Sequence, residues 1–401
     1  MSKVEEQDIF KKALDCVRCG SCRVIYTDRI KSMRFGKQCP PGTYHLIESF
    51  YPAGLMYLAV GLMREQFPYS QRAVEAVYAC TLCGYCQTIC EEYVETKTMP
   101  VIGALRNKAV REGVGPLPGQ KACIENLKKT DNILGEPREK RVAWLKGFQG
   151  PVKFLDKGDK ASTLYFPGCQ YSCNPSLEDV PGATAEIFSK AGIDWGILGE
   201  QEKCCGYLAL ALGYPEIFER YAQENAAAFN RLGVKQIVTS CPECYSTLKL
   251  RYPEVAPLEA EVIHTTDLFY RLVEEKRLKL KESKGRVTYH DPCHLGRYCY
   301  LYEQPRKVIQ SIPGIELVEM ERNRMDAWCC GAGGGVSMGN REYALATARD
   351  RIEEALSTGA EALITSCPNC ALILGDAGKR SKTSMPVEDI ASFLCRSLVK
   401  S

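Results

Sequence analysis

The chain has 401 residues, 45% apolar and 25% charged, which suffices for two or three domains with ordinary buried cores. Its net charge of +3, with Lys and Arg dispersed, leaves no footprint for nucleic acid, and its longest apolar stretch, Ala53 to Met63, is far short of the ~20 residues that span a bilayer. The start, Met1-Ser2-Lys3-Val4-Glu5-Glu6, is acidic and helical in character and has no apolar core of signal-peptide type, so the 22 cysteines are expected to be reduced and metal-bound.

Residues 1–115 are predicted to form a helical domain. Apolar positions recur at helical spacing through Leu55, Leu58, Leu62 and Met63, and again through Ala73, Val74, Val77 and Tyr78. Cys16, Cys19 and Cys22 form one C-x2-C-x2-C run; Cys80, Cys83 and Cys86 form a second, followed by Cys90. Such a run wraps one face of a 4Fe-4S cubane, and two runs imply two cubanes, as in two-cluster ferredoxins. There the fourth cysteine of a run serves the other cluster. That rule predicts Cys16, Cys19, Cys22 and Cys90 around one cluster and Cys80, Cys83, Cys86 and Cys39 around the other, although Cys39, followed by Pro40, stands 17 positions after Cys22 where the ferredoxin motif has four. Tetrahedral zinc is the plainer alternative for C-x-x-C pairs, but three cysteines in one tight run divide poorly among closed four-ligand sites.

Gly113, Gly115, Pro116, Pro118 and Gly119 break the helical pattern, and 116–160 is predicted as a linker with one or two short helices. From Ala161 short β-rich runs alternate with helical segments: Thr163 to Phe166, Gln236 to Thr239, Val287 to Tyr289, Glu316 to Val318 and Ala362 to Thr365. This alternation predicts largely parallel pairing in two α/β domains, 161–285 and 286–401.

The two α/β segments carry one cysteine pattern written twice: Cys169, Cys204, Cys205, Cys241 and Cys244, then Cys293, Cys329, Cys330, Cys367 and Cys370. The lone cysteine and the vicinal pair are separated by 34 and 35 residues, the pair and the final C-P-x-C by 35 and 36. Gaps held this closely imply an internal duplication whose halves pack about a pseudo-twofold axis, each gathering its five cysteines into one site. A cubane needs four outer ligands, so five thiolates imply something else. Pro242 and Pro368 suit the first turn of a helix, whose N-terminus favours thiolate. A thioredoxin-type dithiol at Cys241-Cys244 or Cys367-Cys370 would leave three cysteines of each set unexplained. Gly331, Gly333, Gly334 and Gly335 do not fit a nucleotide loop and are expected to turn around a cluster. His290 and His294 flank Cys293 and are candidate catalytic residues for proton delivery, against the plainer reading of hydrogen bonding at a strand end. His264 is expected to pack at a strand end, His45 has no assignment, and Cys123, Cys173, Cys299 and Cys395 are spare thiols.

The doubled pattern resembles the paired CCG domains of heterodisulfide reductase, and with the preceding cubane half the whole chain resembles the D subunit family of that enzyme. The resemblance implies an α+β multidomain fold, with a helical two-cluster ferredoxin-like domain followed by two pseudo-twofold-related CCG domains. It also implies that each complete quintet holds a noncubane 4Fe-4S cluster, and that the two together reduce a (hetero)disulfide to two thiols, or the reverse, with electrons relayed through the two cubanes. Expected partners are a small-molecule disulfide or thiols and an electron-exchanging protein, a membrane cytochrome b-type subunit or a flavoprotein or ferredoxin. The expected location is cytoplasmic, at the inner face of the membrane only through such a partner. The alternative is an electron-transfer subunit of a larger flavin-dependent dehydrogenase or respiratory complex, serving lactate, glycolate, glycerol-3-phosphate, sulfur or acyl-CoA metabolism. Relatives often lose some of these cysteines, and two complete quintets favour chemistry on sulfur over relay.

Overall fold

The computed structural model describes residues 8–26, 28–93, 97–381 and 385–399; the acidic start Met1 to Glu6 lies outside them. The first domain is helical. The two apolar stripes become the helices Pro52–Met63 and Gln71–Ala79, the latter capped by Ser70, whose hydroxyl accepts from the Ala73 amide at 3.1 Å. Helices Tyr85–Tyr93 and Thr98–Arg111 complete the bundle. Among the described residues no helix is long and apolar enough to cross a membrane.

The C-terminal region builds two parallel sheets. The first contains β1 (Lys153–Phe154), β2 (Thr163–Phe166), β3 (Trp195–Ile197), β4 (Gln236–Thr239) and β5 (Glu261–His264) in the order β1-β3-β2-β4-β5. The second contains β6 (Gly285–Tyr289), β7 (Ile315–Leu317), β8 (Ala362–Thr365) and β9 (Val387–Asp389) in the order β7-β6-β8-β9. Every pairing is parallel. Apart from β1 the sheets have one topology, and the register agrees: Thr163 faces Gln236 as Val287 faces Ala362. The strands are short and buried on both faces, which is why β2, β4 and β8 read as continuous apolar runs.

The segment 116–160, predicted as a linker with one or two short helices, carries the helix Pro118–Thr130, a 3-10 stretch Arg138–Gly147 and, beyond the expectation, β1, which hydrogen-bonds to the edge of the first sheet. Arg141 from this stretch is buried and pairs with Glu202 at 2.7 Å while donating to the Asp131 carbonyl. Two residues of edge strand make no periodic signal, so the sequence conceals it.

The domains are locked together by polar contacts. Arg106, fully buried, spends all five of its N–H donors on backbone carbonyls: Val77 (twice) and Cys80 in the helical domain, Ala211 in the first α/β half and Gly334 in the second.

Candidate metal centre

In an open parallel sheet, ligands gather beyond the carboxyl ends of the strands, where neighbouring connections depart in opposite directions. Here that point lies between β2 and β4, and between β6 and β8. Cys169 and Cys241 follow β2 and β4; Cys293 and Cys367 follow β6 and β8. Cys241 and Cys367 are the N-cap residues of helices Pro242–Ser246 and Pro368–Lys379, which put Cys244 and Cys370 in the first turn. The vicinal pairs reach in from the loops after β3 and β7. Their geometry repeats: the Gly206 amide donates to Cys204 Sγ at 3.4 Å, and the Gly331 amide to Cys329 Sγ at 3.4 Å. Cys169 Sγ lies 3.9 Å from Cys204 Sγ. A Cβ on Gly168 would stand 2.9 Å from Cys244 Sγ, so the turn beside the sulfurs requires glycine.

No described cysteine is in a disulfide. Hydrogen bonds from Cys204 and Cys244 hold the Cys205 thiol low, and those from Cys329 and Cys370 do the same for Cys330. Their partners Cys244 and Cys370 are driven up, by these same bonds first and then by burial. A set of five sulfur donors fits an iron–sulfur group. Beside the second quintet, one ring nitrogen of His290 and the sulfurs of Cys330 and Cys370 lie within 4.8 Å of one another.

The two quintets face one junction. Glu243 and Asn369, the third residues of the two C-P-x-C motifs, meet there, Asn369 Nδ2 donating to Glu243 Oε2 at 2.7 Å. Contact between a residue and its own counterpart puts the pseudo-twofold axis between them. Burial pushes the Glu243 carboxyl up to about 8. His294 also bridges the halves: its Nε2 lies 2.9 Å from the Tyr207 hydroxyl, its Nδ1 2.8 Å from that of Ser246, and its ring stacks on Tyr298 at 4.4 Å. His290 is tied to the second half alone, accepting at Nδ1 from Arg351 Nε at 3.1 Å. The cavity lined by Cys169, Cys205 and Cys244 shares Gln170, Ala332, Met338 and Asn369 with a broad neighbouring groove that runs past Arg341.

In the helical domain, burial and then the neighbouring Cys90 and Cys16 push the Cys22 thiol up to about 12, so Cys90 lies with the first run. Burial raises Cys39 well above its ordinary value, and the neighbouring Cys80, Cys83 and Cys22 add to this. The long Cys22–Cys39 gap is closed by a hairpin-like return, with an antiparallel bridge between Val24 and Lys37. Burial also pushes Cys80 up to about 11, and Thr98 donates to Cys86 Sγ at 3.3 Å.

The second run also touches the second quintet. Cys83 neighbours Cys329, and Thr81 Oγ1 is 3.5 Å from Cys329 Sγ. The glycine loop makes this approach possible: a Cβ on Gly333 would stand 2.6 Å from the Thr81 carbonyl oxygen. Arg297 braces the junction by donating to the Cys83 carbonyl at 2.7 Å. Of the remaining candidates, His264 sits at the end of β5 and bonds the Ser240 carbonyl at 2.8 Å, and His45 stacks on Phe50 at 3.8 Å. Cys123 and Cys173 neighbour Cys169, Cys299 lies near Lys249, and Cys395 bonds Glu186 at 3.4 Å. The sequence reading missed Glu243, Asn369, Tyr207, Arg106, Arg297 and Arg351; the only available signal was the unequal x of the two C-P-x-C motifs.

Comparison with known proteins agrees with this anatomy. A 4Fe-4S dicluster domain matches residues 12–94 and a cysteine-rich domain matches 163–249 and 287–375. The chain is 34% identical to the D subunit of the dihydromethanophenazine:CoB--CoM heterodisulfide reductase of Methanosarcina barkeri, over 80% of this chain and 78% of the relative. It is 31% identical to an EtfAB:quinone oxidoreductase of Syntrophomonas wolfei, covering 84% of this chain but 49% of that protein. It is likewise 31% identical to the B subunit of the fumarate reductase (CoM/CoB) of Methanothermobacter marburgensis, over 76% and 58%. With the dicluster helices leading into two cysteine-rich halves in the same order, the chain belongs to the family of the heterodisulfide reductase D subunit, a family of iron–sulfur oxidoreductases.

Proposed function

We propose that the chain reduces a disulfide to two thiols, or runs the reverse, at its paired quintets: R–S–S–R′ takes up two electrons and two protons to give R–SH and R′–SH. The observation that carries this reading is the facing of two complete five-thiol sites across the Glu243–Asn369 contact, with the second in touch with the second cysteine run of the helical domain. In this reading Cys16, Cys19, Cys22 and Cys90 hold one cubane and Cys80, Cys83, Cys86 and Cys39 the other. Cys169, Cys204, Cys205, Cys241 and Cys244 hold one noncubane cluster, and Cys293, Cys329, Cys330, Cys367 and Cys370 the second. Bound clusters supply one-electron storage and iron that binds sulfur.

The chain's own residues do the rest. The groove past Gln170 and Arg341 is the approach assigned to the small molecule, with Ala332 and Met338 among the residues that line both it and the cysteine cavity. Proton delivery falls to His294 ahead of His290, because His294 alone links hydroxyls of the first half, Tyr207 and Ser246, to the second. The two electrons are exchanged with a partner protein.

The test is disulfide turnover by the fully cluster-loaded chain with an artificial electron donor, alongside iron analysis expecting about 16 irons per chain, four in each cluster. Full loading with no disulfide or thiol turnover would defeat the catalytic reading. The similarity to the quinone oxidoreductase favours a second reading, a relay component of a flavin-dependent dehydrogenase. A stoichiometric complex with a substrate-binding flavoprotein, and no turnover without it, would select that one.

A further inference from the structure

The two quintets are alike in their cysteines and unlike in what surrounds them. His290 stands three positions before Cys293, as Phe166 stands three before Cys169, and the sheets confirm the equivalence: Phe166 pairs with Thr239, and Thr365, the counterpart of Thr239, donates to the His290 carbonyl at 3.3 Å. In the first half this position is apolar. Phe166 packs edge-on against Phe229, with ring centroids 5.7 Å apart.

In the second half the ring is oriented by its neighbours. A guanidinium can only donate hydrogen bonds, so Arg351 Nε, 3.1 Å from His290 Nδ1, requires a lone pair on that nitrogen. The ring proton then belongs to Nε2. Arg351 is itself fixed, donating to the Arg322 carbonyl at 2.7 Å and to Glu354 Oε2 at 2.8 Å, and all three side chains are buried. With Nδ1 engaged, Nε2 carries the ring's one proton, and a ring nitrogen of His290 lies within 4.8 Å of the sulfurs of Cys330 and Cys370.

A second difference has the same sign. The first quintet's nearby cation, Arg141, is neutralised by Glu202 at 2.7 Å. The second has Arg297 beside Cys83, Cys293 and Cys329; its hydrogen bonds go to the carbonyls of Cys83, Met325 and Ala327, and among the described residues no ion pair includes it. Hydrogen bonds to ligand sulfur and positive charge both favour the reduced, more negative form of an iron–sulfur cluster.

We propose that His290 is a positioning residue that donates an N–H···S hydrogen bond to Cys330 or Cys370 and makes the two quintets redox-inequivalent, the second being the easier to reduce. The inference rests on the proposed reading that each quintet holds a cluster. Because the second quintet adjoins the second cysteine run, the easier reduction belongs to the site nearer the entering electron.

The experiment uses the full cluster-loaded chain in a dithionite titration followed by electron paramagnetic resonance. His290→Phe, which copies the first half, is expected to lower the reduced-to-oxidised ratio of the second site about tenfold at a fixed poise, equivalent to about 59 mV for a one-electron couple, without moving the first. His290→Gln, which keeps an N–H donor, is expected to restore most of it. Unchanged potentials, or an equal shift at both sites, overturn the proposal while leaving the clusters and the proposed function intact. Should His290→Phe lose its second cluster, the wild-type chain decides: pulsed resonance with 15N-histidine must show a weak nitrogen coupling to one of the two quintet clusters. No coupling, or the large coupling of a nitrogen bound to iron, overturns it. A wild-type chain with fewer than four clusters overturns the inference and the proposed function together.

Discussion

Replacing Arg106 by Met is expected to loosen the junction of all three domains at once. Five N–H donors converge from this one side chain on four buried carbonyls, those of Val77, Cys80, Ala211 and Gly334, and methionine fills the volume without offering a donor. Leaving each carbonyl unpaired costs ~1–3 kcal/mol, so the low end alone gives about 4 kcal/mol, against a folding free energy of ~5–15 kcal/mol. Removing a buried cation offsets part of that loss, since no carboxylate among the described residues pairs with Arg106 and burial already holds its guanidinium below the ordinary value. Arg106→Lys separates the two effects: it keeps the charge with three donors in place of five, and its loss should be intermediate. Urea unfolding of the cluster-loaded chain, followed by far-ultraviolet circular dichroism and by visible absorption, measures both the fold and cluster retention. If Arg106→Met unfolds at the wild-type urea concentration and keeps its iron, the convergence of carbonyls is not what holds the domains.

Three further outcomes are expected. Changing either Cys205 or Cys330 to Ser should remove about four irons, one cluster's worth, and leave the remaining clusters spectroscopically intact; loss of all iron would contradict separate sites. Asp389 accepts from the Tyr171 hydroxyl at 2.5 Å, and burial pushes its carboxyl up from 3.8 to about 7, so the folded state holds a proton that the unfolded state releases. Stability contributed by this group is therefore full below about pH 4 and falls as pH rises to about 7, by roughly 1.4 kcal/mol per unit crossed; Asp389→Asn should flatten that slope in equilibrium unfolding, and an unchanged slope would refute the assignment. Arg141→Met leaves Glu202 buried without its partner and should cost ~3–5 kcal/mol, much of it recovered by adding Glu202→Leu; equal loss in the single and double variants would show that the ion pair itself is not the source.

The cysteine runs, the two quintets and most of their setting were legible because they are local in sequence or repeated. Cys16 to Cys22 and Cys80 to Cys86 are tight loops, and the strands ending at Phe166, Thr239 and Thr365 are apolar runs placed just before a cysteine. The duplication also predicted the shared topology, because two copies with matched gaps must solve one packing problem. What stayed hidden depends on contacts between distant segments. Trp195–Ile197 and Val387–Asp389 are three residues each, too short for any period to show. Arg106 looks like a solvated helix position, yet its neighbours Val101, Ile102, Leu105 and Ala109 are all buried, because three domains enclose that helix. Nor does spacing reveal that Cys83 of the helical domain neighbours Cys329 across 246 positions of chain.

The Glu243–Asn369 contact bears on how such a molecule can evolve. A dimer of identical chains must place the same side chain on both sides of its rotation axis, giving either two acids that repel or two amides with no charge. Covalent fusion lets each side change alone, and an acid facing an amide is a combination that exact symmetry forbids. Joining the halves in one polypeptide is thus what permits this centre to be polar, with left and right distinguishable to whatever asymmetric molecule enters between them.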